Sequence, residues 1–339
     1  MMESYIFDSM IVEYGNLDPT YNVDIYGIDY LSYLDPLLLD SLPSQMTVME
    51  PSTVIQDPEP QTISLSTAFN PDNVAKPDLI FCSSDSVLFY VNTHTISRAS
   101  PDAFRTIINS QLDTPHATDP AAQLRVVPIP ETSNVLNVML HTLYGTPCAQ
   151  HSPTFDTLVN AVGNMPRYGI SPATHIVRSS HTYSALVSYA PLCALDLYAL
   201  AAYHRLEDLA VATSSHLLAC SLSVITDDVA QKIGSIYLKR LFDLHLGRFN
   251  ALKRVLLTPP HPHPPSKECT FVDQRNLTRS WALVSAYLAW DARADLSTHS
   301  MKLAFKPLIE NLACELCQES LDHKLRDAVV QWASVKRTI

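Results

Sequence analysis

Apolar and polar positions alternate most regularly between Pro77 and Val91. The run Pro77 to Phe81 is followed by a polar quartet, Ser83 to Ser86, and then by Val87, Phe89 and Val91 alternating with Leu88 and Tyr90. A period of two belongs to a strand, because successive side chains point to opposite faces, so this stretch predicts two antiparallel strands joined by a short turn. After Ile96, the sequence Ser100-Pro101-Asp102 predicts a helix start, with Ser as the cap and Pro in the first turn, ahead of Phe104, Ile107 and Ile108.

The second half of the chain changes period. Leu195, Tyr198, Ala202, Leu206, Leu209, Thr213 and Leu217 recur at steps of three and four, which puts them on one helical stripe, with a turn near Arg205 able to split it in two. Trp281, Val284 and Leu288 form another stripe, Leu308, Leu312 and Leu316 a further one, and Leu325, Val329 and Trp332 a last one. Between them the run from Pro259 to Pro265, PPHPHPP, has to be extended, because proline lacks an amide donor and its ring fixes the backbone.

Charge separates the N-terminal stretch from the rest. From Met1 to Ala75 there is no Lys or Arg, and twelve of the 34 acidic residues lie there; the other 22 face all 23 Lys and Arg. In that stretch acidic groups are mixed with aromatic and aliphatic ones, Tyr26, Tyr30, Leu31, Tyr33 and Leu34 among them, and the segment from Pro43 is rich in Pro, Ser, Thr and Gln. Such a composition predicts a disordered acidic tail and linker. Those five residues are candidate protein-binding groups in an activation-domain-like role; the competing reading is a solubilising tail or a cover for the folded body. The near-neutral remainder offers no basic footprint for phosphates, so direct nucleic-acid binding is not expected.

From Asp78 to Phe104 the pattern D-L-I-F, turn, L-F-Y-V-x-x-H-x-I-S-x-A-S-P-x-A-F resembles the opening of a BTB/POZ domain of the type common in large fungal families. Later anchors agree with it. Arg125 to Ile129 resembles the third strand; Val135, Val138, Met139 and Leu143 resemble a helix ending in an aromatic and a small residue, here Tyr144-Gly145. Leu158, Ala161, Val162 and Met165 resemble the next helix, which in the family closes on Lys-Tyr and here on Arg167-Tyr168. Asn92 departs from the pattern, since the family often has His directly after the second strand, and this chain places its His two residues later, at His94. These groups are read as hydrogen-bonding residues at a helix entry. The stretch from Tyr198 to Leu209 is similar to the helical continuation that many BTB proteins carry.

Chemical motifs are sparse. Seven Gly in 339 residues, far below the roughly 7% of an average composition, leave little room for glycine-rich ligand loops. No GxSxG, HExxH or phosphate-loop pattern is present. Seven Cys without paired spacing and without a cationic apolar leader argue against a secreted disulfide scaffold and for an intracellular location, cytoplasmic or nuclear. No apolar run approaches the roughly 20 residues of a membrane helix. Cys314-x-x-Cys317 has half the spacing of a zinc site, with Cys269, His261, His263 and His323 available to complete it. Both cysteines fall in a sequence that reads as helix, where packed thiols explain them equally well. No metal or other cofactor is therefore expected.

The expectation is an α+β chain: tail and linker over 1–75, BTB/POZ domain over 76–170, linker over 171–190, helical extension over 191–258, Pro-rich linker over 259–280 and a C-terminal helical region over 281–339. The family resemblance implies a non-catalytic scaffold or adaptor with protein partners, including itself as a homodimer. Two alternatives stay open, a cullin-type ubiquitin ligase adaptor and a transcription-associated regulator using the acidic tail. For the former, the family commonly has a Glu two positions after a hydrophobic residue between the helix at Phe104 and the next strand, and Arg105 to Arg125 holds no Glu.

Overall fold

The computed structural model describes residues 63–112, 124–290 and 292–339. These form an α+β unit in which helices predominate around one four-stranded sheet. The strands are β1 (Ser64–Leu65), β2 (Leu79–Cys82), β3 (Val87–Val91) and β4 (Arg125–Pro128), in the order β1-β3-β2-β4. The helices are α1 (Thr93–Ala99), α2 (Arg105–Leu112), α3 (Ser133–Tyr144), α4 (Phe155–Asn164), α5 (Pro172–His175), α6 (His181–Ser188), α7 (Ala194–Tyr203), α8 (Glu207–Ser214), α9 (Asp227–Leu257), α10 (Phe271–Trp290), α11 (Thr298–Glu310) and α12 (Glu315–Ala333).

The alternating stretch forms the antiparallel pair β2–β3, with Phe81 opposite Phe89, and β4 adds to the other side of β2 in parallel, with Val127 opposite Phe81. Flanked by β3 and β4, β2 buries Leu79, Ile80 and Phe81 in succession. The polar quartet is more than a turn. Ser83 Oγ donates to Asp85 Oδ1 (2.6 Å), and the Asp85 carboxylate accepts from Ser133 N–H (2.8 Å) and Ser133 Oγ (2.6 Å), so the hairpin tip caps the N-terminus of α3. Burial alone would raise the Asp85 pKa, but these hydrogen bonds together hold it below the usual carboxylate value.

Asn92 and Glu131 tie the sheet to the helices. Asn92 is the N-cap of α1: its Oδ1 accepts from Thr95 N–H at 2.8 Å and its Nδ2 donates to the Lys76 carbonyl at 2.8 Å. His94 is exposed. Glu131 accepts from Tyr168 Oη and Asn164 Nδ2, both at 2.9 Å, with Arg167 at 3.6 Å. Tyr168 also packs at a tilt against Phe104, and Phe104 against Phe81, at ring separations of 5.0 and 4.8 Å.

Several sequence expectations are corrected. Ser100 does not start a helix; it closes α1, its N–H donating to the Ile96 carbonyl, and the next helix begins at Arg105. Tertiary contacts override the capping signal there, because Phe104 N–H donates to the Tyr168 carbonyl (2.8 Å) and Ser100 Oγ to the Gly169 carbonyl (3.2 Å). The folded body also starts before residue 76. β1 pairs in parallel with β3, and Phe69 is buried with its ring 5.2 Å from that of Tyr144. One aromatic in a Ser-, Asn- and Pro-rich stretch has no periodicity to reveal it.

Residues 171–190 are not a linker either. They hold α5 and α6, bury Ile176, Leu186 and Ala190, and join Thr182 to Thr142 in a buried hydroxyl contact of 2.7 Å. The extension expected over 191–258 does not stand apart from the preceding domain: a single hydrophobic cluster runs from Phe69 to Leu241, with Leu197, Tyr198 and Ala201 of α7 fully buried. The stripe around Arg205 does break there, between α7 and α8.

A second cluster runs from Ala251 to Trp332, so the division between cores falls within α9, which is interrupted at Gly234 (φ 74°, ψ 160°) and spans both. In this second core Trp281 stacks on Phe305 at 4.3 Å and donates from Nε1 to the Leu256 carbonyl at 2.9 Å. The stretch expected as linker to residue 280 is helical from Phe271, and the stripe through Leu308, Leu312 and Leu316 is broken between Glu310 and Glu315. Among the described residues no helix is long and apolar enough to cross a membrane.

Candidate metal centre

The proline-rich segment and that break bring four sulfur and nitrogen donors together. His263 stands among prolines that keep the backbone extended, and its Nδ1 lies 2.8 Å from the Pro264 carbonyl oxygen. A carbonyl oxygen only accepts, so Nδ1 is the donor there, and in the neutral ring the lone pair then belongs to Nε2. Cys269 follows a short turn in which its N–H donates to Ser266 Oγ (3.1 Å) and its carbonyl accepts from Ser266 N–H (2.9 Å). Thr270 then donates from N–H and Oγ1 to Asp273 Oδ2, both at 2.8 Å, fixing the approach to α10. The segment is held from the other side by Ser320 of α12, whose Oγ donates to the His261 carbonyl at 2.7 Å.

Cys314 is the N-cap of α12, with extended backbone (φ −89°, ψ 120°), and Cys317 lies one turn inside that helix. The two cysteines do not share a helix interior as the sequence suggested. The helix start instead turns both thiols toward one point. His263 Nε2 is 3.4 Å from Cys314 Sγ and 3.3 Å from Cys317 Sγ, and Cys269 Sγ is 3.7 Å from Cys317 Sγ. All four donor atoms lie within 4.8 Å of one another, with Cys269 and Cys317 buried and His263 and Cys314 half-buried.

The three thiols are in different electrostatic settings. The backbone N–H groups of Cys317 and Leu316, at the positive end of α12, lower the Cys314 pKa to about 7 despite burial. Burial, with the neighbouring sulfurs, pushes Cys317 up to about 12 and raises Cys269. The helix start thus favours ionisation of Cys314, while burial disfavours it at Cys269 and Cys317.

Of the residues singled out by the sequence, Cys269, Cys314 and Cys317 are together and His263 completes the set. His261 contributes its carbonyl to Ser320, and His323 pairs with Asp327 of its own helix at 3.4 Å; neither belongs to the cluster. Tyr26, Tyr30, Leu31, Tyr33 and Leu34 lie outside the described residues. An apolar groove of about 500 Å³ runs between α9 and α10, lined by Leu256, Leu257, Pro259, Trp281, Ala282 and Ala286. On the same α10, Leu283, Tyr287 and Trp290 are exposed at steps of four and three, a stripe that sequence periodicity did not separate from the core stripe of Trp281 and Leu288. Comparison with protein-family models, curated proteins and solved structures finds no match for this chain.

Proposed function

We propose that this chain is a non-catalytic protein-interaction scaffold whose folded body is a BTB/POZ-type domain enlarged by helices, and that it acts as a homodimer. The observation that carries this reading is the work done by the residues of the resemblance. The apolar anchors Leu79, Phe81, Phe89, Val91, Ile96, Phe104, Val138, Leu158 and Tyr168 lie in one core, in an order of hairpin, helices, parallel strand and helix pair. The polar residues of the same segment, Asp85, Asn92, Glu131 and Tyr168, have their hydrogen-bonding capacity engaged in holding strands to helices. Groups spent on architecture leave binding surfaces as the means of action.

Sedimentation of the full chain across a concentration series tests the reading, beside a chain shortened to begin at Ile63, which keeps β1 and Phe69 in place. A dimer in both is expected. A cullin recovered equally with both chains in a quantitative pull-down identifies the partner as a ligase despite the absence of Glu between Arg105 and Arg125. Recovery of transcription machinery only with the acidic tail present identifies the regulator form. A monomer at every concentration that retains no partner overturns the scaffold.

A further inference from the structure

We propose that His263, Cys269, Cys314 and Cys317 bind one zinc ion, which fastens the proline-rich segment to the start of α12. The inference is independent of the scaffold reading, and rests on the geometry of the second core. With Zn–S near 2.3 Å and Zn–N near 2.0–2.1 Å, tetrahedral ligands sit about 3.8 Å apart for two sulfurs and about 3.6 Å apart for sulfur and nitrogen. The distances here are 3.7 Å between Cys269 and Cys317 and 3.3–3.4 Å from His263 Nε2 to Cys314 and Cys317.

Three features separate this arrangement from thiols packed for volume. Packed thiols need only touch in pairs, whereas here three sulfurs and one imidazole nitrogen converge on a common point. The histidine turns Nε2 toward the sulfurs while its Nδ1 faces a carbonyl, the outer contact that orients metal-bound imidazoles. Cys314 stands at the N-cap of α12, the helix end that favours negatively charged groups. A disulfide is a poor description, since Cys269 and Cys317 are 3.7 Å apart against roughly 2.05 Å for a bond.

Three thiolates and an imidazole select a soft, tetrahedral divalent ion over magnesium or calcium, which take oxygen. All four positions come from the protein, so the site is closed and structural. On binding, the thiols release up to three protons, Nε2 donates its lone pair, and the site carries one net negative charge, offset by the α12 N-terminus. Cys269 and Cys317 belong to the core that contains Trp281 and Trp332, so the ion becomes part of that core's stability.

The test uses the full chain, purified under reducing conditions, dialysed and analysed for metal, then exchanged with cobalt(II). One zinc per chain and the visible absorption of tetrahedral cobalt thiolate are expected. Cys314→Ser, at a half-buried position, should fold and weaken zinc by more than the roughly 10–100-fold that loss of an outer contact costs. Cys193→Ser, a thiol outside the cluster, should leave metal content unchanged. Folded protein without zinc and without the cobalt spectrum overturns the proposal, as does equal metal content in wild type, Cys314→Ser and His263→Ala. A Cys269–Cys317 disulfide in protein isolated with zinc present also overturns it.

Discussion

The phenol oxygen of Tyr144 accepts the backbone N–H of Asn92 at 2.8 Å, joining the end of α3 to the residue that caps α1 across 52 positions of sequence. Asn92 sits where the chain leaves β3, so its own N–H has no ladder partner in the sheet and no partner within the helix. Tyr144→Phe keeps the ring, which packs edge-on against Phe69 at 5.2 Å, and removes only the acceptor. It should lower unfolding stability by about 1–2 kcal/mol, the cost of stranding a partly buried donor. Asn92→Ala loses the cap and the Lys76 contact and should cost at least as much. Urea unfolding measures both; wild-type midpoints in both variants would mean the junction contributes nothing.

Gly145 and Gly169 both have positive φ, 66° and 72°, yet they should respond differently to alanine. A Cβ at Gly145 meets nothing within 4 Å, so Gly145→Ala bears only the left-handed backbone cost of about 1–2 kcal/mol. A Cβ at Gly169 would lie 2.2 Å from the Asp102 carbonyl oxygen, where the turn through Ser100 and Phe104 is bonded to Tyr168 and Gly169. Gly169→Ala therefore has to move backbone, and should cost about 4 kcal/mol or more. Equal thermal shifts for the two variants would contradict this close approach.

His141 is buried, with its ring 5.0 Å from that of Phe69, Nδ1 2.7 Å from Thr146 Oγ1, and Nε2 without a hydrogen-bond partner among the described residues. Burial, and secondarily His151 nearby, lowers its pKa from 6.5 to about 4. Between those values the unfolded chain holds more protons than the folded one. Stability is therefore complete above 6.5, is lost as pH falls toward 4, and levels off below, by about 3 kcal/mol in all. His175, His204 and His245, lowered mainly by burial, act in the same direction, so the comparison of wild type with His141→Leu isolates this residue. The variant should show a shallower decline over that window in denaturation at stepped pH; parallel profiles would rule His141 out as a source.

Arg248 of α9 is fully buried with its guanidinium 4.2 Å from the Trp332 ring, donating to the carbonyls of Ala294, Val335 (3.0 Å) and Lys336 (3.1 Å). One side chain thus satisfies the residues that follow α12 and the loop before α11. Arg248→Met keeps an unbranched apolar stem but strands three acceptors and removes the cation from the indole face, at a cost of about 3 kcal/mol or more. Lost stability should come with a changed Trp332 near-UV signal. A stable variant with an unaltered signal would show the carbonyls satisfied by other means.

Local pattern made part of this protein legible. The β2–β3 hairpin, the break at Arg205, the Tyr144-Gly145 helix end and the core stripe of Trp281 and Leu288 follow from alternation, spacing and glycine conformation, all of which act between neighbours in the chain. Where a single distant contact outweighs a local preference, sequence misleads. Ser100 ends a helix because Gly169 and Tyr168 hold its turn, Phe69 joins the core through Phe89 and Tyr144, and residues 171–190 pack through isolated apolar side chains that set no period.

The four donor groups show the limit most sharply. Sequence identified Cys269, Cys314 and Cys317 as ligand types and could not choose among three histidines, because metal-ligand geometry is set in space and these residues span 54 positions. Tertiary structure chose His263 by placing the proline-rich segment across α12, and ended α11 early enough that Cys314 caps the next helix and faces its partners. Residue chemistry is a property of the chain; convergence of that chemistry on one point is a property of the packed core alone.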